Sequence, residues 1–414
     1  MSEHATSVTT HSTDPSSWIL ARGYSYAGIV GKLRSEPNRR DIGAIVSEAP
    51  CSAAGVFTLN RVAAAPVQVS RRRVPSAEIR GIVCCSGNAN ACTGSQGRSD
   101  AEMMALALAT KVGATGEQIL VASTGIIGRP LPMATVGPAI AQAASVLQDT
   151  PQALNDFAHS ILTTDTVIKV ATLEVNLHGT AIRFTGIAKG AAMIGPNMAT
   201  MLGFILTDAS IAPSLLQEAL SKAVDRTFNC ISVEGHMSTN DTVFALANGM
   251  AGGTPITGHG IHYQQFEKDL TRVCSQLAKA IAEDAEGATH LIELLVEGAA
   301  TEAEARQMAK SVAESPLVKT ALFGADPNWG RIVSAAGYSG VVFEEKDLTL
   351  HLGPYLLYEQ GTPVPFDEAQ VSRYMKEHQQ IVVRLTLNHG NAGCQFWTCD
   401  LTHDYVRLNA EYTT

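Results

Sequence analysis

Short apolar runs bounded by glycine-containing turns recur through the first half of the chain, and they limit the fold more than any other feature. Residues 43–46, 81–85 and 119–122 are such runs, and their length is typical of buried strands. Longer segments with helical spacing of apolar residues follow at 213–224 and 262–282. This mixture predicts a layered α/β or α+β chain without an internal repeat.

Local signals predict where several elements begin and end. Ser99 and Asp100 are typical helix caps, so they predict a helix from residue 100 to residue 112 that stops at Gly113. Pro213 predicts the first turn of a later helix, because the amide hydrogen that proline lacks has no partner at that position. The apolar run at 201–206 predicts a strand directly after a turn that contains glycine and proline.

The composition is that of a compact protein with a large core. Of the 414 residues, 45% are hydrophobic and 17% are charged, and this length suggests two or three domains. The formal net charge of -9, without a long basic run, argues against nucleic-acid binding. No apolar run is long enough to predict a membrane span.

The N-terminus and the cysteines bear on the location of the protein. Residues 1–17 are polar and contain no lysine or arginine, which fits a disordered tail better than a targeting peptide. The eight cysteines form no Cys-x-x-Cys pair, and no histidine pair near them has the spacing of metal ligands. We therefore expect reduced thiols, no metal site and, by elimination, a cytoplasmic protein.

The turn at residues 189–200 carries the strongest candidate for chemistry. It ends in Ala199 and Thr200, directly before the apolar run. The Thr200 hydroxyl could attack the Ala199 carbonyl, and hydrolysis of the resulting ester would leave Thr200 as a new N-terminus. Its free amine could then act as the base for its own hydroxyl. Taken alone, however, an Ala-Thr pair before a strand is usually only the start of that strand.

Other polar segments offer groups that such a nucleophile needs. Thr124 and Gly125 follow a predicted strand and could form an oxyanion hole, although a strand-end turn is the simpler interpretation. Thr163 stands in a Thr-Thr-Asp-Thr segment that fits a helix cap better than a polar pocket. Lys189 could meet a substrate carboxylate, although most turn lysines are only solvated. Arg331 fits a structural tie better than a carboxylate clamp.

Five segments of the chain, between residues 189 and 414, form a specific set of motifs. They are Lys-Gly-x-x-Met-Ile-x-Pro-x-Met-Ala-Thr-Met-Leu at 189–202, Ser-Thr-Asn-Asp-Thr at 238–242, Glu-Gly-Ala-Thr-His at 286–290, Gly-Ala-Asp-Pro-Asn-Trp-Gly-Arg at 324–331 and Asn-Ala-Glu-Tyr-Thr-Thr at 409–414. Together they resemble the ornithine acetyltransferase family, the bifunctional glutamate N-acetyltransferase and amino-acid acetyltransferase of arginine synthesis. The likeness runs from about Gly23 to Thr414, and five segments in the family's order are more specific than any one of them.

The resemblance implies an α/β fold of the threonine-nucleophile, self-processing type. This fold is an α-β-β-α sandwich with a smaller C-terminal α/β domain, here at about 285–400. Cleavage between Ala199 and Thr200 would give an alpha chain, 18–199, and a beta chain, 200–414, whose tail at 401–414 returns to the active site. The chains would assemble as a heterotetramer of two of each.

The resemblance also implies a ping-pong reaction. Thr200 would take the acetyl group from N2-acetyl-L-ornithine, release L-ornithine and pass the acetyl group to L-glutamate. No cofactor is bound, and acetyl-CoA as a second acetyl donor is left open. Thr124 and Gly125 would form the oxyanion hole. The implied substrate-binding residues are Thr163, Lys189, Thr200, Glu286, Asn409 and Thr414.

The chain departs from the usual pattern of the family without losing a residue that has an implied role. Ala191-Ala192 replaces the usual Ser-Gly, His236-Met237 replaces the usual Asp-Thr, and Ala285 replaces a glycine. Two other functions remain open. One is an amidase or aminopeptidase in which water resolves the acyl-Thr200, and the other is a non-catalytic binding protein that has lost self-cleavage.

Overall fold

The computed structural model describes residues 12–34, 36–195 and 201–411. Ala199, Thr200 and Thr414 therefore lie outside the described residues, as do residues 1–11 of the predicted tail.

The described residues form eleven α-helices and fifteen β-strands. The helices are α1 (Ala65–Arg71), α2 (Gly94–Val112), α3 (Met133–Ser145), α4 (Pro151–Ser160), α5 (Pro213–Arg226), α6 (Ile261–Glu283), α7 (Glu302–Ala313), α8 (Pro316–Phe323), α9 (Trp329–Gly337), α10 (Glu368–Glu377) and α11 (His403–Glu411). The strands are β1 (Tyr24–Ile29), β2 (Ile42–Phe57), β3 (Ser76–Asn88), β4 (Ile119–Ile126), β5 (Lys169–Leu177), β6 (Thr180–Lys189), β7 (Leu202–Thr207), β8 (Ile231–Ser232), β9 (Thr242–Ala247), β10 (Leu291–Ala299), β11 (Thr349–Leu352), β12 (Tyr355–Glu359), β13 (Thr362–Pro363), β14 (Gln380–Thr386) and β15 (Ala392–Cys399).

The first sheet has eight strands and doubles over along β2. Its strand order is β4-β3-β2-β9-β7-β6-β5, and β1 also pairs with β2. The N-terminal part of β2 pairs with β1 and β3, whereas its C-terminal part pairs with β9. The long strand thus joins one half-sheet, formed by β1, β3 and β4, to a second, formed by β5, β6, β7 and β9.

Alternating side chains place each half-sheet between two apolar layers. Ile82 of β3 and Phe204 of β7 belong to one buried cluster between the two halves. The next residue of β3, Val83, packs with α2 and α3 on the outside. The next residue of β7, Ile205, packs with α5 and α6 on the opposite outside. The layers therefore run helix, sheet, sheet, helix, which is the α-β-β-α sandwich that the resemblance implies.

A second sheet of seven strands has its own apolar core. Its order is β13-β12-β11-β14-β10-β15-β8, and its cluster includes buried residues of α7, α8, α9 and α10. All strands but one come from residues 291–399. The exception is β8, which directly follows the α5 region and pairs in parallel with β15. The second sheet is thereby tied to the helical layer of the first.

Most element boundaries agree with the sequence signals, and one does not. Helix α5 begins at Pro213, and Gly113 ends α2 with a left-handed φ of 66°. The predicted start of α2 is wrong, because the helix begins at Gly94 and Asp100 lies inside it, buried. Gln96, one turn earlier, donates a hydrogen bond to the Asp100 carboxylate at 2.8 Å. Asp100 is thus satisfied within the helix rather than at its cap.

No helix within the described ranges is long and apolar enough to cross a bilayer.

Candidate active site

A cleft at one end of the first sheet brings together residues that are far apart in the sequence. It encloses about 620 Å³ including its open mouth. Five residues with implied roles line it, contributed by positions from 124 to 409. The lining consists of Thr124, Gly125, Thr163, Glu286 and Asn409 together with Ala89, Ile127, Thr164, Ala192, Met193, Ser238, Thr239 and Asn240.

Thr124 and Gly125 lie at the C-terminal end of β4, where its register with β3 shifts at Asn88. Gly125 has a φ of 128°, and a Cβ there would lie only 2.4 Å from the backbone carbon of Gly87. Only glycine fits such a position without displacing the neighbouring strand. Thr124 is almost fully buried yet reaches the cleft. The close strand approach therefore fixes a hydroxyl and a glycine backbone at the cleft wall.

Asn240 holds this wall from the opposite side. Its Nδ2 atom donates hydrogen bonds to the carbonyl of Ala89 at 2.6 Å and to that of Ser123 at 2.8 Å. Its Oδ1 atom accepts from the Thr239 hydroxyl at 2.6 Å. The Asn240 side-chain amide therefore links Ala89, which directly follows β3, to Ser123, which directly precedes Thr124. In the sequence, residues 238–242 are polar and form one of the five motifs that carry the family resemblance.

Lys189 and Thr163 are in direct contact. Lys189 ends β6 with its side chain buried, and its Nζ atom donates a hydrogen bond to Thr163 Oγ1 at 2.6 Å. Burial lowers the pKa of Lys189, while the nearby Asp165 carboxylate opposes this shift. The interpretation of the Thr163 segment as a helix cap is wrong, because α4 already ends at Ser160. Thr163 instead lines the cleft, and its hydroxyl accepts the hydrogen bond from the buried Lys189 ammonium.

Asp165 organises this side of the cleft, although no sequence pattern singles it out. Its carboxylate accepts from Lys169 Nζ at 2.9 Å, from the Gly190 amide at 2.6 Å and from the Thr163 amide at 3.0 Å. Burial alone would raise the pKa of Asp165, but the charges of Lys169 and Lys189 outweigh burial and hold the pKa below its usual range. Lys169 also contacts Asp284 Oδ2 at 2.6 Å. The start of the 189–200 turn is thus fixed by a buried ionic network.

Glu286 and Asn409 also line the cleft and are in direct contact with each other. Asn409 of α11 donates a hydrogen bond to Glu286 Oε2 at 3.0 Å. The Glu286 amide donates to the carbonyl of Ala191 at 2.9 Å. Burial raises the pKa of Glu286, and the hydrogen bond from Asn409 opposes that shift. The C-terminal helix therefore reaches the cleft, whereas Thr414 lies beyond the described residues.

The segment at 233–241 holds the chain on both sides of residues 196–200. The Ile194 carbonyl accepts from the amides of Val233 at 2.8 Å and Gly235 at 3.1 Å, and Glu234 Oε1 accepts from the Ile194 amide at 2.5 Å. On the far side, the Met201 amide donates to Asp241 Oδ1 at 3.2 Å. Sequence reasoning missed these contacts, because they join backbone groups to residues about forty positions away.

Asp241 is a buried acid without a countercharge in direct contact among the described residues. Its Oδ2 atom has no hydrogen-bond partner in the same part of the chain. Burial raises the pKa of Asp241 well above its usual value, and the bond from the Met201 amide only partly opposes this. Burial therefore favours the neutral form of Asp241, which contacts Met201, the first described residue after the turn.

Comparison with known proteins decides the family. Residues 25–414 match the model of the ArgJ family. The chain belongs to the ArgJ family. The arginine biosynthesis bifunctional protein ArgJ of Symbiobacterium thermophilum is 46% identical over 393 residues, which cover 95% of this chain and 97% of that protein. The ArgJ protein of the same description from a Synechococcus species is 47% identical over 402 residues, covering 95% and 96%.

A solved structure agrees with this assignment. The crystal structure of the ArgJ protein from Bacillus halodurans matches with a TM-score of 0.50 and 45% identity, over 51% of this chain and 100% of the solved chain. Membership of the ArgJ family confirms the family predicted from the five motifs. It also confirms the predictions of a layered α/β fold and of an acyltransferase.

Proposed function

We propose that this chain transfers the acetyl group of N2-acetyl-L-ornithine to L-glutamate through an acetyl ester of Thr200. The products are L-ornithine and N-acetyl-L-glutamate, for arginine biosynthesis. The observation that carries the proposal is the meeting of Thr124, Gly125, Thr163, Glu286 and Asn409 in one cleft. These groups meet the needs of an acyl transfer between amino acids, namely oxyanion donors and separate positive and negative subsites.

The polar groups that line the cleft suit the two ends of ornithine. An α-carboxylate is stabilised by the Thr163 hydroxyl, which is itself bonded to the Lys189 ammonium at 2.6 Å. A δ-ammonium on the other end needs an acceptor, and Glu286 offers a carboxylate that Asn409 orients at 3.0 Å. Glutamate shares the α-carboxylate, so the Thr163 side serves both substrates. The terminal carboxylate of Thr414 is a second proposed acceptor for the ammonium.

Acyl transfer then needs a nucleophile, a base and an oxyanion hole. The Thr200 hydroxyl attacks the acetyl carbonyl, and the Thr124 hydroxyl with the Gly125 amide stabilises the resulting oxyanion. Each such donor contributes about 2.7–4 kcal/mol in comparable sites. The Thr200 amine acts as the base, since an N-terminal amine has an ordinary pKa of about 7.7–8.0. The amine of glutamate then attacks the acetyl ester and regenerates Thr200.

Self-cleavage between Ala199 and Thr200 creates that amine. One observation on a relative supports self-cleavage. The solved chain from Bacillus halodurans is matched over its whole length, but the match covers only 51% of this chain, so the solved polypeptide corresponds to about half of this one. The products would stay together, because strands β7 and β9 of the beta chain lie between β2 and β6 of the alpha chain. We propose that two alpha and two beta chains assemble into the heterotetramer.

An ornithine-release assay tests the reaction. Purified protein is given N2-acetyl-L-ornithine with and without L-glutamate, and ornithine and acetate are measured. We expect fast ornithine release only with glutamate, together with N-acetylglutamate and no acetate. Release at the full rate without glutamate, with acetate as product, would show instead the amidase that was the alternative. The Thr124→Val variant should lose about a hundredfold in rate.

A denaturing gel tests self-cleavage and the non-catalytic alternative. The proposal predicts two bands for the wild type and a single band for Thr200→Ala. A single wild-type band without ornithine release would favour the binding protein, and two bands in Thr200→Ala would contradict self-cleavage.

The description of both relatives as bifunctional favours acetyl-CoA as a second donor. Acetylation of glutamate by acetyl-CoA in the absence of N-acetylornithine measures that activity.

A further inference from the structure

Two cysteines outside the cleft lie against each other in a way that the proposed acetyl transfer does not use. Cys230 ends the short helical turn directly before β8, and Cys394 lies in β15, the parallel neighbour of β8. Their Sγ atoms are 3.8 Å apart, and both thiols are free. We propose that Cys230 and Cys394 form a redox-reactive pair that closes reversibly to a disulfide when it meets a small disulfide oxidant.

The two thiols are chemically different, as thiol–disulfide exchange requires. Cys394 is partly exposed, whereas Cys230 is buried. The hydrogen bond with Cys230 lowers the pKa of Cys394, and the Arg306 guanidinium lowers it further. The same hydrogen bond, together with burial, raises the pKa of Cys230. Cys394 is therefore the attacking thiolate, and Cys230 is the resolving thiol that attacks second.

A surface cavity gives an oxidant access to the pair. It encloses about 650 Å³ including its mouth, and both cysteines line it together with Arg226, Glu302 and Arg306. The Nε atom of Arg306 is buried and has no hydrogen-bond partner among the described residues. A guanidinium that lines the cavity beside a thiolate favours an oxidant that carries carboxylates. Oxidised glutathione is a probe of this class.

The exchange balances without any other reactant. The Cys394 thiolate attacks one sulfur of the oxidant and expels one thiol, which leaves a mixed disulfide on Cys394. Cys230 then loses its proton and attacks Cys394 Sγ, which forms the Cys230–Cys394 bond and expels the second thiol. The pair loses two electrons and two protons, and the oxidant is reduced to two thiols.

The bond would join two strands that lead to the cleft. Strand β8 continues into the segment that binds Ile194 through Val233 and Gly235. Strand β15 continues into Asp400, which accepts hydrogen bonds from the Thr289 and His290 amides at 2.9 and 3.2 Å, a few residues after Glu286. The pair is thus placed where the second sheet meets the first, and both cysteines belong to the proposed beta chain.

The other cysteines provide internal controls. Cys92 is exposed and free, so it serves as a matched single thiol. Cys84 and Cys85 are adjacent in sequence but buried, and burial raises the pKa of both. Proximity along the chain therefore does not make them reactive, because exchange requires an accessible thiolate.

Peptide mass spectrometry of the full protein after incubation with oxidised glutathione tests the proposal. We expect a disulfide-linked pair of peptides containing Cys230 and Cys394, reversed by dithiothreitol, and at most a glutathione adduct on Cys92. Cys230→Ser should trap a stable adduct on Cys394, and Cys394→Ser should leave Cys230 unmodified. Cys92→Ser should form the Cys230–Cys394 bond at the wild-type rate.

Other outcomes would overturn the proposal. They are an absence of the linked peptides while Cys92 is modified, or modification of Cys230 in the Cys394→Ser variant at the wild-type rate. Arg306→Gln supplies an independent measurement, because removal of the guanidinium should slow adduct formation on Cys394 severalfold in the Cys230→Ser background. An unchanged rate there would contradict the assignment of Cys394 as the activated thiolate. Circular dichroism of each variant verifies that it is folded.

Discussion

Two buried aspartates hold the two ends of the turn at residues 189–200, and their pKa values are shifted in opposite directions. Asp165 binds the Gly190 amide at the start of the turn, and Asp241 binds the Met201 amide just after it. The pKa of Asp165 lies below its ordinary value, because Lys169 and Lys189 outweigh the effect of burial. The pKa of Asp241 lies well above its ordinary value, because burial dominates there.

Burial raises the pKa of both acids, and the comparison indicates that charged neighbours decide whether this effect is outweighed. Both carboxyl groups are removed from solvent, and both accept backbone amides. Of these two acids, and within the described part of the chain, only Asp165 has an ammonium within 3 Å, that of Lys169 at 2.9 Å. The start of the turn is therefore anchored by an ionic network next to Thr163, and Met201, directly after the turn, is held by an acid whose neutral form burial favours.

The largest expected effect comes from removing the ionised member of the pair. Asp165→Ala leaves Lys169 and Lys189 buried with less compensating charge, so the free energy of unfolding should fall by about 3–5 kcal/mol. Thermal and urea unfolding at pH 7 measure this loss. Glu297→Gln is the matched control, because its ion pair with Arg384 at 3.0 Å is about half exposed and should contribute less than about 1 kcal/mol. An Asp165→Ala loss no larger than that of the control would refute the charge assignment.

A smaller effect separates the two aspartates by pH. The native state keeps a proton on Asp241 that the unfolded chain releases above about pH 4. Stability should therefore fall as pH rises through the neutral range, by at most about 1.4 kcal/mol per pH unit. Asp241→Asn removes that proton and keeps the acceptor for Met201, so its melting temperature should fall less than that of the wild type between pH 5 and pH 8.

The contribution of Asp165 to stability changes with pH in the opposite direction to that of Asp241. Its native pKa is depressed, so its stabilisation is present above about pH 4 and is lost as pH falls further. The difference in stability between wild type and Asp165→Ala should thus shrink only in acid. Parallel pH curves for wild type and Asp241→Asn would show that Asp241 is ionised in the native state.

The smallest effect concerns Glu286, a carboxyl that lines the cleft and is only partly buried. Asn409→Ala removes a hydrogen bond that favours the charged form, so the pKa of Glu286 should rise. If Glu286 binds the substrate ammonium, the acid limb of kcat/KM should move to higher pH by less than about one unit. Arg407→Ala, on the exposed side of α11, is the control and should leave the limb unchanged. An unchanged limb in Asn409→Ala would remove Glu286 from the ammonium subsite.

Local sequence signals predict elements well where one residue dictates the backbone. Pro213 begins α5 and Gly113 ends α2, because each has a conformational preference that neighbours do not alter. The Ser99-Asp100 pair predicts the start of α2 too late, because Asp100 is satisfied inside the helix by Gln96 rather than at a cap. The five motifs predict the family correctly, because their order along the chain is itself specific.

The candidate site, like the fold, is predicted only in part from the sequence. The resemblance names Thr124, Gly125, Thr163, Glu286 and Asn409, and the structure brings these five into one cleft. Asp165 and Asp241 are not singled out by sequence, although both lie within polar segments that the sequence marks. Their importance depends on Lys169, Gly190 and Met201, whose distances from them no local pattern encodes.

By itself, the sequence determined the family, the layered α/β class and the identity of the residues proposed for chemistry. Only the tertiary structure decided which acids are charged, which backbone amides hold the turn, and that Cys230 lies beside Cys394. The physical reason is that a pKa, a hydrogen bond and a thiol contact depend on the groups within a few ångströms. The two thiols, for example, come from segments 164 residues apart in the sequence.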